Sequence, residues 1–332
     1  MQTKNVVTVG GGTGSFVILQ ALKSIKGISI KAIVTTADDG GIAKKERDEF
    51  GILPQSDVRK ALIALSDDKK NYTIRELFTY RFSKGLGIEG ATLGNLFLAA
   101  LTDIKKSQYK AIQEIEKLLN INGEVIPISL DKTNILITLE NKIQILGETH
   151  LDNVFWDGTK KIKKIELIPK AKIFKKAAKE IEKADYIFIT PGDLYGSVIV
   201  NFCVDGFKKA INKSKAKIIY TCNLVTKYGQ SYDYSAKDHI TDIEKYLGKK
   251  LDIVILNKAQ FPTEVMVNYA KEKSRPVTHN KKDLRKYKLI IADLVNEEIE
   301  KPKKGDKIKR SLIRHDLKTL NEIYTRIIYN KI

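Results

Sequence analysis

Val6-Val7-Thr8-Val9-Gly10-Gly11-Gly12-Thr13-Gly14-Ser15 is the segment from which the rest of the chain can be read. Its β-branched run predicts a short strand. Gly10, Gly11, Gly12 and Gly14 then let the backbone turn tightly and approach an anion. A helix predicted over 16–24, with Phe16, Leu19, Leu22 and Ile25 along one side, aims its first amides back at that turn. Such an arrangement suits a phosphate or pyrophosphate. A second strand over 28–34 completes a βαβ opening and ends in Thr35-Thr36-Ala37-Asp38-Asp39-Gly40-Gly41. Glycine and acid together at strand ends mark the ligand crevice of an open α/β sheet. The loop is not a P-loop, because no Gly-Lys-Ser/Thr follows. It also misses the spacing G-x-G-x-x-G, whose last position falls on Ser15. A tight strand-to-helix turn without a ligand is the alternative reading.

Downstream, the long polar stretch 38–54 reads as a binding loop. Gln55-Ser56-Asp57 is expected to cap a helix through Leu65, and further helices are predicted over 72–82, 93–101 and 109–119. Strands are predicted over 125–129, 135–139 and 142–145, the last two as a hairpin at Glu140-Asn141. Regular α/β alternation then resumes from 171 to 257, and a final helix is expected over 316–328. The sum is a Rossmann-like, doubly wound, three-layer α/β fold with a mostly parallel sheet and a small helical insertion. The organisation expected is a nucleotide-binding domain over 1–262, with its helical insertion at about 56–120. A basic strand/helix extension over 263–332 would pack on that core.

Composition narrows the partners. The chain has 332 residues, 59 Lys+Arg against 40 Asp+Glu, and a net charge of +19, which invites a nucleic-acid reading. The excess, however, is lysine spread over helices, as in Lys160-Lys161-Ile162-Lys163-Lys164, with no aromatic-interleaved basic stripe. No nucleic-acid partner is therefore expected, although the charge would steer anionic nucleotides inward. No apolar run is long enough for a membrane span. Cys203 and Cys222 show no metal or CxxC spacing and read as buried, reduced thiols of a cytoplasmic protein.

Five strand ends carry polar or glycine clusters: Gly10–Ser15, Asp38–Gly41, Pro191–Ser197, Asn223–Thr226 and Asn257. Asp57-Val58-Arg59 and Leu93-Gly94-Asn95 stand at helix starts beside them. In order and spacing this set resembles the family that joins 2-phospho-L-lactate transferases to the gluconeogenesis factors, from about Asn5 to Asn257. The regulator-like branch is matched more closely, by Gly10–Gly14, Ala37–Gly41, Arg47, Ile52–Arg59, Tyr80-Arg81-Phe82, Gly147-Glu148 and Pro191–Tyr195. Ile42, Ala43, Lys44, Lys60, Ala91 and Thr92 depart from its usual residues.

The resemblance implies a protein that binds a nucleotide or UDP-sugar and regulates carbon metabolism and cell shape. The alternative that it implies is a Mg²⁺-dependent transferase that moves a phospholactyl group from a nucleotide diphosphate carrier to a deazaflavin. An NAD(P) oxidoreductase is a remote third reading that rests on the glycine loop alone. Carried over, Asp38, Asp39 and Asp57 would hold the metal, with Asp39 and Asp57 as the catalytic acids. Gly11, Gly12, Thr13, Gly14, Arg47, Arg59, Asn95, Pro191, Gly192, Asn223 and Asn257 would contact the nucleotide and its phosphates. For Asp57 the competing reading is an N-cap, and for Asp38-Asp39 a solvated Asx turn. His239 beside Asp238 reads as a cap or surface pair rather than an acid–base dyad. A homodimer and an unidentified protein partner remain compatible with all of this.

Overall fold

Two sheets organise the protein, whose structure is a computed structural model describing residues 3–37, 53–67, 72–296 and 312–331. The chain opens with β1 (Lys4–Gly10), α1 (Gly12–Lys23) and β2 (Ile28–Val34). Four helices follow, α2 (Ser56–Leu65), α3 (Tyr72–Thr79), α4 (Leu93–Lys105) and α5 (Gln108–Leu118), before β3 (Glu124–Pro127). A small antiparallel sheet comes next, made of β4 (Asn134–Leu139), β5 (Gln144–Leu146) and β6 (Ile162–Ile168), with the single turn α6 (Thr149–Asp152) between β5 and β6. Then come α7 (Lys175–Lys183), β7 (Tyr186–Ile189), a π-helical turn Leu194–Ile199 that runs into α8 (Val200–Phe202), and α9 (Phe207–Lys213). The chain continues through β8 (Lys217–Thr221), α10 (Ala236–Leu247), β9 (Ile253–Asn257), α11 (Thr263–Lys271), β10 (Lys288–Ala292) and α12 (Leu317–Ile328).

The large sheet has seven strands in the order β10-β9-β8-β7-β1-β2-β3, and every pair in it is parallel. From β1 the chain winds outward through β2 and β3. It then returns to the other side of β1 with β7 and proceeds outward again, which is the doubly wound pattern expected from the sequence. The direction of winding reverses between β1 and β7, whose register pairs Val6 with Tyr186 and Val9 with Ile189. Strand alternation divides the core. Val7 and Val9 pack on one face with the small sheet, α7 and α10, while Val6 packs on the other with α1, α2 and α12. All three valines are fully buried, as a strand covered on both sides requires.

The expected hairpin is present, with Leu136 opposite Leu146 and Thr138 opposite Gln144. Its third strand, β6, corrects the reading of Lys160–Lys164 as helix surface. The register shift at Thr138/Leu139 breaks the simple in/out alternation. Lys163 and Lys164 are therefore both exposed while Ile162, Ile165 and Leu167 stay buried. The helix predicted from 171 begins only at Lys175, because Lys172 is held in a parallel bridge to Asp205. The C-terminal segment supplies β10 to the large sheet beside β9 and lays α12 on α1. Cys203 and Cys222 are free thiols, and burial pushes both up to about 12. Among the described residues no helix is long and apolar enough to cross a membrane.

Candidate functional site

The C-terminal ends of β1 and β7 meet at the point of reversal, and their loops are in direct contact. α1 starts inside the glycine segment, at Gly12, four residues earlier than predicted. Gly12 has φ +69°, a conformation that glycine adopts without strain. Gly14 lies so close to the β7 loop that a Cβ there would stand 2.1 Å from the carbonyl oxygen of Pro191. Gly12, Thr13 and Gly14 are only half-buried, so the first turn of α1 faces open space. Among the described residues no side chain caps that turn, and the hydroxyl of Ser15, itself buried, has no hydrogen-bond partner. An uncapped helix start leaves amides available to an anion.

The helix that follows β7 is different. Its first amides, from Tyr195 and Gly196, donate to Oε1 of Gln230 at 3.2 and 3.4 Å. That side chain, buried and remote in sequence, plugs the second helix start at the crevice. Its Nε2 has no partner. Of the two N-termini at the reversal point, therefore, the one after β1 is left open by the side chains of the described residues. Asn223 braces the same region by donating from Nδ2 to the Gly192 carbonyl at 2.6 Å, while its Oδ1 accepts from Tyr220 at 3.2 Å. Lys227 pairs with Asp193 at 2.5 Å.

On the other flank, α2 brings Asp57 against the loop. A Cβ on Gly11 would lie 2.1 Å from its Oδ2. Asp57 is not the N-cap: Gln55 holds that position and makes no side-chain cap bond. Gln55 is fully buried, and neither atom of its amide has a partner. The other carboxylate oxygen of Asp57, Oδ1, is 3.0 Å from Nζ of Lys60, one turn along the helix. Arg59 turns inward instead. Its Nε donates to Oδ1 of Asn95 at 2.9 Å and its Nη1 to the Phe78 carbonyl at 3.3 Å. Both Arg59 and Asn95 are buried, so the α2 and α4 motifs are stitched to each other.

The structure thus brings together Gly11, Gly12, Thr13, Gly14, Asp57, Pro191, Gly192 and Asn223, with Arg59 and Asn95 in a layer behind. It does not bring Asn257 into this group. Two strands beyond β7, that residue closes its own turn through Ala259 and accepts the amide of Leu294 at 2.9 Å. Asp38, Asp39 and Arg47 lie outside the described residues. His239 corrects the surface reading. It is fully buried, its Nδ1 is 2.9 Å from the Ser235 carbonyl, and burial lowers its pKa below the ordinary imidazole value. The capping role falls to Ser235 and Asp238, which form a reciprocal box at the start of α10. Behind the π-helical turn, Tyr195 and Tyr234 share the carboxylate of Asp242, and burial raises the pKa of both phenols. Two surface grooves, of about 220 and 300 Å³, lie beside Lys217 and Asp252 and beside Tyr234 and Asp242, away from the glycine loop.

Sequence reasoning missed Gln230, Lys227 and Lys60 as members of this region. Only Lys60 had a local signal, its i,i+3 spacing from Asp57.

A parallel sheet wound both ways from β1, with an uncapped glycine-loop helix at the reversal, defines a doubly wound α/β protein whose crevice opens between β1 and β7. A family model described as 2-phospho-L-lactate transferase CofD matches residues 6–295. The chain belongs to that family. It is 39% identical over 279 residues to the gluconeogenesis factor of Halalkalibacterium halodurans, covering 83% of this chain and 84% of that protein. It is 33% identical over 317 residues to the gluconeogenesis factor of Bacillus subtilis, covering 95% of each. A crystal structure of a Bacillus halodurans protein superposes with a TM-score of 0.87 at 36% identity, over 97% of this chain and 99% of that one.

Proposed function

We propose that the protein binds a nucleotide or UDP-sugar across the ends of β1 and β7 and serves as a gluconeogenesis-factor-type regulator of carbon metabolism and cell shape. The observation that carries the binding reading is the uncapped first turn of α1, open to solvent, while Gln230 closes the neighbouring helix start. An anion at Gly12, Thr13 and Gly14 would receive backbone amides and the positive end of α1. The names of the relatives support the regulatory part. Titration calorimetry against UDP-N-acetylglucosamine, GDP, NAD⁺ and a deazaflavin tests it. Binding of the UDP-sugar without deazaflavin affinity is expected. Joint binding of a guanine nucleotide and the deazaflavin would overturn it.

The description of the matching family favours a second reading, transfer of a phospholactyl group to a deazaflavin, with Asp39 and Asp57 as the acids. Mg²⁺ belongs to that reading. Among the described residues no three His, Cys, Asp or Glu side chains are grouped to hold a metal ion, and Asp38 and Asp39, the other two residues of the expected set, lie outside them. Asp57, the described member of the expected metal set, is already paired with Lys60.

A further inference from the structure

We infer that Lys60 is the cation of this site, and that it lets the glycine loop take a nucleotide's phosphates without a divalent metal. The inference rests on the nucleotide-binding reading above. Its starting point is a conflict of charge. Asp57 presses one carboxylate oxygen against Gly11, beside the helix start that would receive the phosphate. Two anions cannot share that space without a cation between or beside them. The second oxygen of the same carboxylate meets the Lys60 ammonium at 3.0 Å. Lys60 keeps part of its side chain in solvent, at 29% exposure against 9% for Asp57.

Arg59 and Lys60 are neighbours in the first half of α2. Arg59 is occupied by Asn95 and Phe78, which leaves Lys60 as the basic side chain of this turn at the loop. The opposite flank repeats the arrangement, with Lys227 held by Asp193 at 2.5 Å beside the β7 loop. Asp57 and Asp193, one on each flank of the crevice loops, thus each already have a lysine beside them. A phosphate entering at Gly12–Gly14 would share the Lys60 ammonium with Asp57, gaining a charge-assisted hydrogen bond and relieving the repulsion.

Titration calorimetry with UDP-N-acetylglucosamine as the probe, in EDTA and again in millimolar Mg²⁺, tests this on the full chain. The expected result is a dissociation constant equal within about twofold in the two buffers, a spread well under the tenfold of one charged contact. Lys60→Met should lose about tenfold or more in EDTA. Lys60→Arg, which keeps the charge, should stay within about threefold of the parent, well short of that loss. Thermal melts of both variants establish that they fold. Binding by the parent only in Mg²⁺, or undiminished binding by Lys60→Met in EDTA, would overturn the inference and leave the nucleotide reading standing. No binding in either buffer would overturn the nucleotide reading itself.

Discussion

Replacing Gly14 by alanine sets two effects of opposite sign against each other. Alanine is the better helix former by about 1 kcal/mol, and Gly14 lies within α1, so propensity alone predicts a more stable protein. The new Cβ, however, would lie 2.1 Å from the Pro191 carbonyl oxygen and 2.6 Å from its carbonyl carbon. Those are backbone atoms and have no rotamer to escape into. The loop that carries them is fixed on both sides, by the Thr190 amide donating to Val9 at 3.1 Å and by Asn223 donating to Gly192 at 2.6 Å. One loop must move by more than an ångström, and overpacking of this kind costs about 1–3 kcal/mol. With backbone atoms this close the clash should win, for a net loss of up to about 2 kcal/mol. Urea unfolding followed by circular dichroism reads the stability, and calorimetry with a UDP-sugar reads the site, where affinity should fall as the α1 amides shift. A Gly14→Ala protein as stable as the parent and equally able to bind would refute the claim that contact between the β1 and β7 loops shapes the crevice.

Asn257→Ala should cost about 1–2 kcal/mol of stability through its lost turn and strand-end bonds, yet leave nucleotide affinity within about twofold of the parent, since its amide is spent on Ala259 and Leu294. Gln55→Met should raise the stability of the ligand-free protein by about 1 kcal/mol, because it removes two buried polar atoms that have no partner, and urea midpoints without ligand check this. Burial raises the Glu116 carboxyl to about 7, above its unfolded value. The folded state therefore holds the extra proton, and stability should decline as pH rises from about 4.5 to 7. Glu116→Gln should flatten that slope in urea midpoints taken across the range. Burial lowers His315 to about 4, and its neutral Nε2–H donates to the Cys222 carbonyl at 3.0 Å. The sign reverses here. Its contribution is complete above about pH 6.5 and is lost as pH falls through 4, and the same midpoints should show it as an acid limb absent from His315→Gln.

How far these features could be read from sequence depends on whether their causes are local. The βαβ opening, the hairpin and the α12 start at Asp316 all follow from nearby residues: alternating apolar pairs, a glycine stop, a side chain that accepts the Thr319 amide at 2.8 Å. β6 was hidden because a bulge in the strand itself, with Lys163 as the extra residue, lets two lysines sit side by side, which erases the period that would reveal a strand. The early start of α1 was hidden because glycine reads as turn, although here it begins the helix. In the crevice, the glycine loop, Asp57 and Pro191–Gly192 were legible from their motifs. Gln230 and Lys227 were not, since each acts on a partner more than thirty residues away. Asn257 misled for the converse reason, as an amide at a strand end serves a turn as readily as a ligand.

The lodging of α12 on α1 has a consequence for how the protein comes into being. Asn321 donates to the Ala21 carbonyl at 2.7 Å, Tyr329 to Lys26 at 2.7 Å, and Leu320 and Tyr324 share a core with Leu19 and Leu22. The helix that opens the crevice is thus covered by residues synthesised 300 positions after it. At about 5–20 residues per second, roughly 15–60 s separate the synthesis of α1 from that of its cover. Through that interval the apolar flank of the anion-binding helix stands uncovered on the nascent chain, where chaperones would be its first partners.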